Sequence, residues 1–303
     1  MTLLTAAEIS ESARAFLAAV SVAPDVLELR PDYRVLMMVA EHLEPGPPGE
    51  ISDELLTRAE TRARVTLAGR APEDVPQIAD WRAAYRAFGA KPQRTRPSAE
   101  ALLRRLDAGL PRIDRLTDAY NAVSIAHLVP VGGEDLDQYQ GPARLVRAVG
   151  DEHFNTAARG EPAVEHPKPG EVIWRDDAGV TCRLWNWRQC TRTRITPATT
   201  SAVFILDGLA TLGPDGLAAA GNDLAGSLNR LSPQAAIASR LIAADQPTGR
   251  RRGRSCVESP EVRDRDRRAD GRTGAGDRQP GHQPPGREVT RPGPRNGCVE
   301  TPR

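Results

Sequence analysis

The chain has 303 residues, 41 lysines and arginines against 40 aspartates and glutamates, and a formal net charge of +1. That length suits one large domain or two small ones. The near-balance of charge excludes a global electrostatic case for nucleic acid, so any such case must be local. No apolar run approaches the roughly 18 residues that would span a bilayer. The first residues lack the basic and long apolar stretches of a signal peptide, so the expectation is a cytoplasmic protein.

In chain order, Leu4, Ile9, Ala13, Phe16 and Leu17 fall at helical spacing and predict a helix over 4–19. Residues 32–40 read as a buried strand, followed by a Pro/Gly loop at 44–49. Ser52 is placed to cap a helix running to about Ala68. A helix over 76–88 carries Trp81, Tyr85 and Phe88, with Gly89 to end it. Ser98 opens another helix. Pro111 starts the next, with Ile113, Leu116, Tyr120 and Val123 facing inward.

Residues 131–137, Val-Gly-Gly-Glu-Asp-Leu-Asp, read as a turn-forming loop. Leu145–Val149, Glu171–Trp174, Val180–Leu184 and Ser201–Leu206 are strand-like, with a hairpin turn at Asp176–Gly179. Residues 215–243 look helical. The sum is an α+β fold: a single domain over 1–245, a mixed β-sheet flanked by helices, divided into an N-terminal extension 1–75 and a core 76–235.

The composition breaks near residue 248. From Gly249 to Arg303 the chain contains no Leu, Ile, Met, Phe, Tyr or Trp. Such a segment has too little to bury to offset its own ordering entropy, so 249–303 is predicted to be a disordered C-terminal tail. It is either a basic tether for RNA or a non-native product of a shifted reading frame.

Chemistry concentrates in Thr181–Thr196, which holds two of the four tryptophans, two of the four cysteines and four arginines. Trp and Arg present flat faces for stacking, while Asn and Gln present a donor and an acceptor together. In an extended strand Trp185, Trp187 and Gln189 would share one face and Asn186, Arg188 and Cys190 the other. The polar set with its arginine would suit a carboxylate or phosphate.

Lys91, Arg94 and Arg96 lie on a basic loop before a helix N-terminus, a natural phosphate site. Glu134, Asp135 and Asp137 put three carboxylates on the 131–137 loop, able to hold a cation or an amine, or to cap the next turn. Cys190 lies between Arg188 and Arg192, which would lower its thiol pKa. Glu165-His166 could transfer protons or form a turn at a strand entrance. No Cys-x-x-Cys, P-loop, Gly-x-Ser-x-Gly or Gly-x-Gly-x-x-Gly occurs, so neither a metal nor a cofactor is expected.

Several of these motifs resemble one family. Phe-Gly-x-Lys-Pro-x-Arg-x-Arg-Pro-Ser at 88–98, Pro-Val-Gly-Gly-Glu-Asp-Leu-Asp at 130–137 and Trp-Asn-Trp-Arg-Gln-Cys at 185–190 are similar to stand-alone B3/B4 proteins. Tyr120–Ser124, Arg144–Ala148 and Thr196–Thr200 resemble the B3/B4 domain of the phenylalanyl-tRNA synthetase β subunit. In that synthetase, the resemblance implies, the domain binds the charged tRNA end and hydrolyses mischarged tyrosine. It does so with a His in a Pro-x-His-x-Phe-Asp motif and a Glu after a Gly-Gly pair. Here the His position falls on Gly132, and the Glu position near Thr191, with Gln189-Cys190 in place of the glycines. The family's deacylation mechanism is therefore not carried over, and with no synthetase core the chain is not a complete tRNA ligase.

The resemblance implies a domain that binds the aminoacyl end of tRNA, or an amino-acid-like ligand. Asn121, Gly132, Gly133, Glu134, Asp135, Asn186, Arg188 and Gln189 would contact the ligand. Lys91, Arg94, Arg96, Arg192 and Arg194 would contact RNA phosphates. Neither DNA nor a membrane is an expected partner. Two alternatives stand beside this reading. One is a trans-acting aminoacyl-tRNA deacylase using Glu134 or Cys190, and the other is a small-molecule sensor without RNA.

Overall fold

The computed structural model describes residues 8–244. The expected start of the first helix at residue 4 and the expectation of disorder over 249–303 both fall outside the described residues. Within them the fold is α+β, as expected.

Ser10 opens the first helix, α1 (Glu11–Ala19), by accepting a hydrogen bond from the Ala13 amide at 3.1 Å. A two-residue strand, β1 (Ser21–Val22), and a short helix, α2 (Pro24–Leu29), follow unanticipated. Both are too brief to carry a periodic signal, although proline at the first position of α2 is a start mark. Strand β2 (Arg34–Glu41) falls where expected.

In α3 (Glu50–Leu67) the cap is Gly49 rather than Ser52. Ser52 sits three residues inside, and its hydroxyl accepts from the Gly49 amide at 3.0 Å. Helix α4 (Pro76–Ala87) ends as expected at Gly89, whose φ is +87°. Helix α5 (Ser98–Leu103) is a single short stretch.

The next helix, α6 (Arg115–His127), starts at Asp114 and not Pro111. The Asp114 carboxylate accepts from the Leu116 and Thr117 amides at 3.0 and 2.8 Å, and that cap fixes the start. Ile113, expected inward, is left outside the helix and 54% exposed.

Two larger corrections concern strands. Residues 131–137 are not a loop: Val131–Asp135 form strand β3, because Ala202–Gly208 (β10) pairs with it, Val203 opposite Glu134 and Ile205 opposite Gly132. Consecutive glycines mimic a turn in sequence but also let a strand run close to its neighbours. Residues 215–243 are not one helix: α7 (Gly213–Leu231) stops ahead of Pro233, and Ala236–Ala243 become strand β11.

The remaining strands are β4 (Arg144–Arg147), β5 (Phe154–Ala158), β6 (Glu161–Glu165), β7 (Val172–Arg175), β8 (Val180–Arg183) and β9 (Arg188–Gln189). They arrange as β11-β2-β10-β3, as β1-β4-β7-β8-β9, and as the separate hairpin β5-β6.

Strand alternation in β10 sorts the core into two sides. Phe204 and Leu206 pack with Leu116, Tyr120 and Val123 of α6 and Leu217, Leu224 and Leu228 of α7. Val203 and Ile205 face the other way, into a cluster with Trp81, Tyr85, Trp174, Cys182 and Trp185. Because paired residues share a face, Glu134, Gly132 and Asp207 also lie on this second side. The site is built there.

Candidate ligand-binding site

Strands β8 and β9 pair back on each other, Cys182 opposite Gln189, so residues 184–187 form the turn between them. Leu184 and Trp185 take left-handed φ values of +49° and +68°. Each such residue costs roughly 1–2 kcal/mol and persists only when its surroundings hold it. Here the holding contacts are visible. The Trp185 amide donates to the Val172 carbonyl at 2.7 Å. Its indole, fully buried, meets Tyr33 and Trp81 edge-on at 4.9 and 5.4 Å. The Asn186 carbonyl accepts from the Ser98 amide at 3.2 Å.

The turn destroys the two-face alternation expected for an extended strand. Trp185, Trp187 and Gln189 of one set and Asn186 and Arg188 of the other now line one cavity of about 70 Å³, while Cys190 does not. By the same measure a single water takes about 10–15 Å³, so the space suits a few heavy atoms and not a nucleoside. Trp174, Trp185, Trp187 and Ile205 form its apolar wall, and Ser98, Glu134, Asn186, Arg188, Gln189 and Asp207 supply polar groups.

Glu134 is fully buried. The Tyr139 hydroxyl donates to its Oε2, as does Thr193 at 3.0 Å, while Gln189 donates to Oε1 at 3.3 Å. Burial raises its pKa above the ordinary value, against the lowering by these donors. Gly132 leaves room for this arrangement, since a Cβ there would lie 3.0 Å from the Gln189 amide nitrogen. At the other end of the cavity Asp207 accepts from Tyr33 at 2.6 Å and Asn186 at 3.2 Å. Asn186 in turn accepts from Tyr85 at 2.9 Å. Burial pushes the Asp207 carboxyl up to about 7.

A groove of about 510 Å³ adjoins this cavity, and Trp187 lines both. Lys91 and Arg94 on the 88–95 loop line it together with Lys168. All three are exposed and make no ion pair among the described residues.

The expected site residues thus divide. Gly132, Glu134, Asn186, Arg188 and Gln189 line the cavity, and Lys91 and Arg94 line the groove. The others do not join them. Asn121 is buried in α6, in the helix layer. Gly133 points the same way, and a Cβ on it would lie 2.8 Å from the Tyr120 ring, so it is a packing glycine. Asp135 caps the turn after β3 and accepts from Thr199 at 2.6 Å. Glu134 and Asp135 are therefore on a strand and not on a flexible loop, and Asp137 lies in the single 3-10 turn that follows it.

Arg192 is held bidentate by the buried Asp176 at 2.7 and 2.9 Å. Arg96 lies 3.6 Å from the buried Glu100, which also receives Arg82 and Arg104. Glu100 occupies the first turn of α5, so that helix start is already supplied with a carboxylate. Arg194 is exposed beside the Glu134 backbone bridge and does not line the groove.

Arg188 pairs with Glu165 at 2.8 Å and lies over the Trp187 and Phe154 rings at 4.7 and 5.1 Å. Its charge is satisfied, so it does not make the cavity anion-binding. Cys190 is buried against Thr193 at 3.3 Å, and burial raises its pKa, the reverse of the expected lowering. His166 meets backbone carbonyls at 3.1 and 3.2 Å, consistent with the turn reading.

Sequence reading missed Tyr33, Tyr85, Trp174 and Asp207. Only Asp207 carried a signal: a lone acid ending the apolar run Ala202–Leu206.

Residues 80–212 match the family model described as the B3/4 domain. Among solved structures the chain is similar to an N-terminal fragment of the phenylalanyl-tRNA synthetase β subunit from Pyrococcus horikoshii, at 14% identity and a TM-score of 0.39. That match covers 72% of this chain and 50% of the other, so the chain spans half the length of that relative. No curated protein matches the chain. No helix among the described residues is long and apolar enough to cross a membrane.

Proposed function

We propose that the protein binds the aminoacyl end of tRNA, with the aminoacyl group entering the inner cavity and the terminal nucleotides lying along the cationic groove. The carrying observation is that a cavity of about 70 Å³ opens beside a groove of about 510 Å³ across one shared residue, Trp187. The small compartment fits an amino-acid group. The larger one offers exposed cations for phosphate and an indole on which a base can stack. In this reading the protein works in the cytoplasm, with charged tRNA as its partner.

A hydrolytic role has one observation in its favour, the Glu134 carboxyl held up by burial inside the cavity. Release of amino acid from charged tRNA on incubation with the protein, lost in Glu134→Gln, would establish that role.

The groove is tested by titrating tRNA at several salt concentrations. The logarithm of affinity should fall linearly with the logarithm of salt. The Lys91→Ala/Arg94→Ala double variant should reduce that slope by about 1.5–2, as expected for two phosphate contacts. An unchanged slope would remove these residues from the RNA path.

A further inference from the structure

We propose that the inner cavity recognises a protonated primary amine, seated against the Asp207 carboxylate and the tryptophan faces. This rests on the site reading above and names the chemical class of its ligand.

The first observation is an imbalance of charge. Asp207 and Glu134 are both buried, line the same cavity and lie on the same face of the β3–β10 pair. Glu134 stands opposite Val203, four positions from Asp207, which is about 13 Å along the strand. Every side-chain partner of either carboxylate is neutral: Tyr33 and Asn186 for one, Tyr139, Thr193 and Gln189 for the other. Among the described residues Arg188 is the one cationic side chain lining the cavity, and Glu165 engages it. Buried carboxylates without a cation are costly and normally find one.

The second observation is the wall. Trp174, Trp185 and Trp187 line the same space, and indole faces attract an ammonium group, most strongly where water is excluded. The third is the Trp174 indole. Trp174 is 1% exposed and lines the cavity, and its indole N–H, like that of Trp185, has no hydrogen-bond partner among the described residues. That donor suits a carbonyl oxygen. An ammonium and a nearby carbonyl are the two polar groups of an aminoacyl unit.

The surroundings of Asp207 offer it no cation among the described residues. Facing it are Tyr33 ahead of β2, Asn186 of the turn, Tyr85 of α4 behind Asn186, Cys182 of β8 and Glu134 of β3. None supplies positive charge, and burial holds the carboxyl at about 7. An ammonium ligand would favour the ionised form, so its binding releases a proton below that pH and weakens up to about tenfold per pH unit.

The ammonium can come from the α-amino group or from a basic side chain. Tryptophan fluorescence of the full chain, titrated with three uncharged-carboxyl probes, separates these sources. Alaninamide carries only the α-ammonium, Nα-acetyl-lysinamide only the side-chain ammonium, and N-acetyl-alaninamide neither. One or both amines should bind at least tenfold tighter than the blocked amide at pH 8, and the winner names the source. Asp207→Asn should reduce that preference at least tenfold. If that variant does not fold, Tyr33→Phe removes one donor to Asp207 and should move the pH midpoint of amine binding upward. Equal binding of all three probes, or of none while tRNA still binds, overturns the amine assignment and leaves the tRNA reading intact. Amine binding without tRNA binding does the reverse.

Discussion

Replacing Trp185 with alanine is expected to lower the unfolding free energy by about 3–5 kcal/mol, the usual cost of truncating a buried aromatic. The indole is fully buried and touches Tyr33, Trp81 and Phe88. It also holds Leu184 and its own backbone in left-handed conformations. Removing it joins the vacated volume to the ligand cavity and releases the turn that carries Asn186 and Trp187. Chemical denaturation read by far-ultraviolet circular dichroism measures the loss. Trp187→Ala makes a clean contrast, because Trp187 is only half-buried and stacks on Arg188 at 4.7 Å. It should cost far less stability while weakening ligand binding. Similar costs for both would show that the turn is held by its backbone hydrogen bonds alone.

The second large effect is a dependence of stability on pH with an unusual sign. Burial raises the Asp207 carboxyl from 3.8 to about 7 in the folded protein. A folded-state pKa above the unfolded value contributes stability that is complete below the unfolded pKa, and that is lost as pH rises through the folded one. The window therefore runs from about pH 4 to about pH 7, and a shift of about three units corresponds to roughly 4 kcal/mol. Asp118, raised by burial to about 6, adds a smaller change of the same sign. Paired carboxylates such as Asp32, lowered by Arg30, change in the opposite direction. The difference in unfolding free energy between wild type and Asp207→Asn isolates the one group. That difference should favour the variant increasingly from pH 4 to pH 8, on top of a constant cost from setting two amide donors together at Asn186. A pH-independent difference would mean that Asp207 is ionised throughout.

Much of the helical layer could be read from the chain because its signals are local. Trp81 and Tyr85 recur at helical spacing, and Gly89 marks the end of α4. What failed depended on distant partners. Glycines 132 and 133 imitate a turn until β10 is laid beside them. Residues 236–243 carry apolar spacing compatible with either period, and only their pairing with β2 makes them a strand. The reading of Pro111 as a helix start failed to a stronger local competitor, the Asp114 carboxylate.

The site was half legible for the same reason. Residues of one stretch, Asn186 to Gln189, were identifiable by their chemistry. Their orientation was not, because the left-handed turn at Leu184 and Trp185 reverses the strand. Charge was misjudged most. Arginines were read as free anion contacts, but Asp176, Glu100 and Glu165 neutralise Arg192, Arg96 and Arg188. Asp207 and Tyr33, 174 positions apart, meet only in the folded molecule.

The most direct measurement is the affinity for aminoacylated tRNA against the same tRNA with its amino acid removed, at one salt concentration. The groove contributes equally to both, so the ratio reports the inner cavity alone. A preference of at least tenfold for the charged form is predicted, falling toward one in Trp187→Ala. Equal affinity for the two forms in the wild-type protein would contradict aminoacyl recognition and reduce the site to an RNA-binding groove.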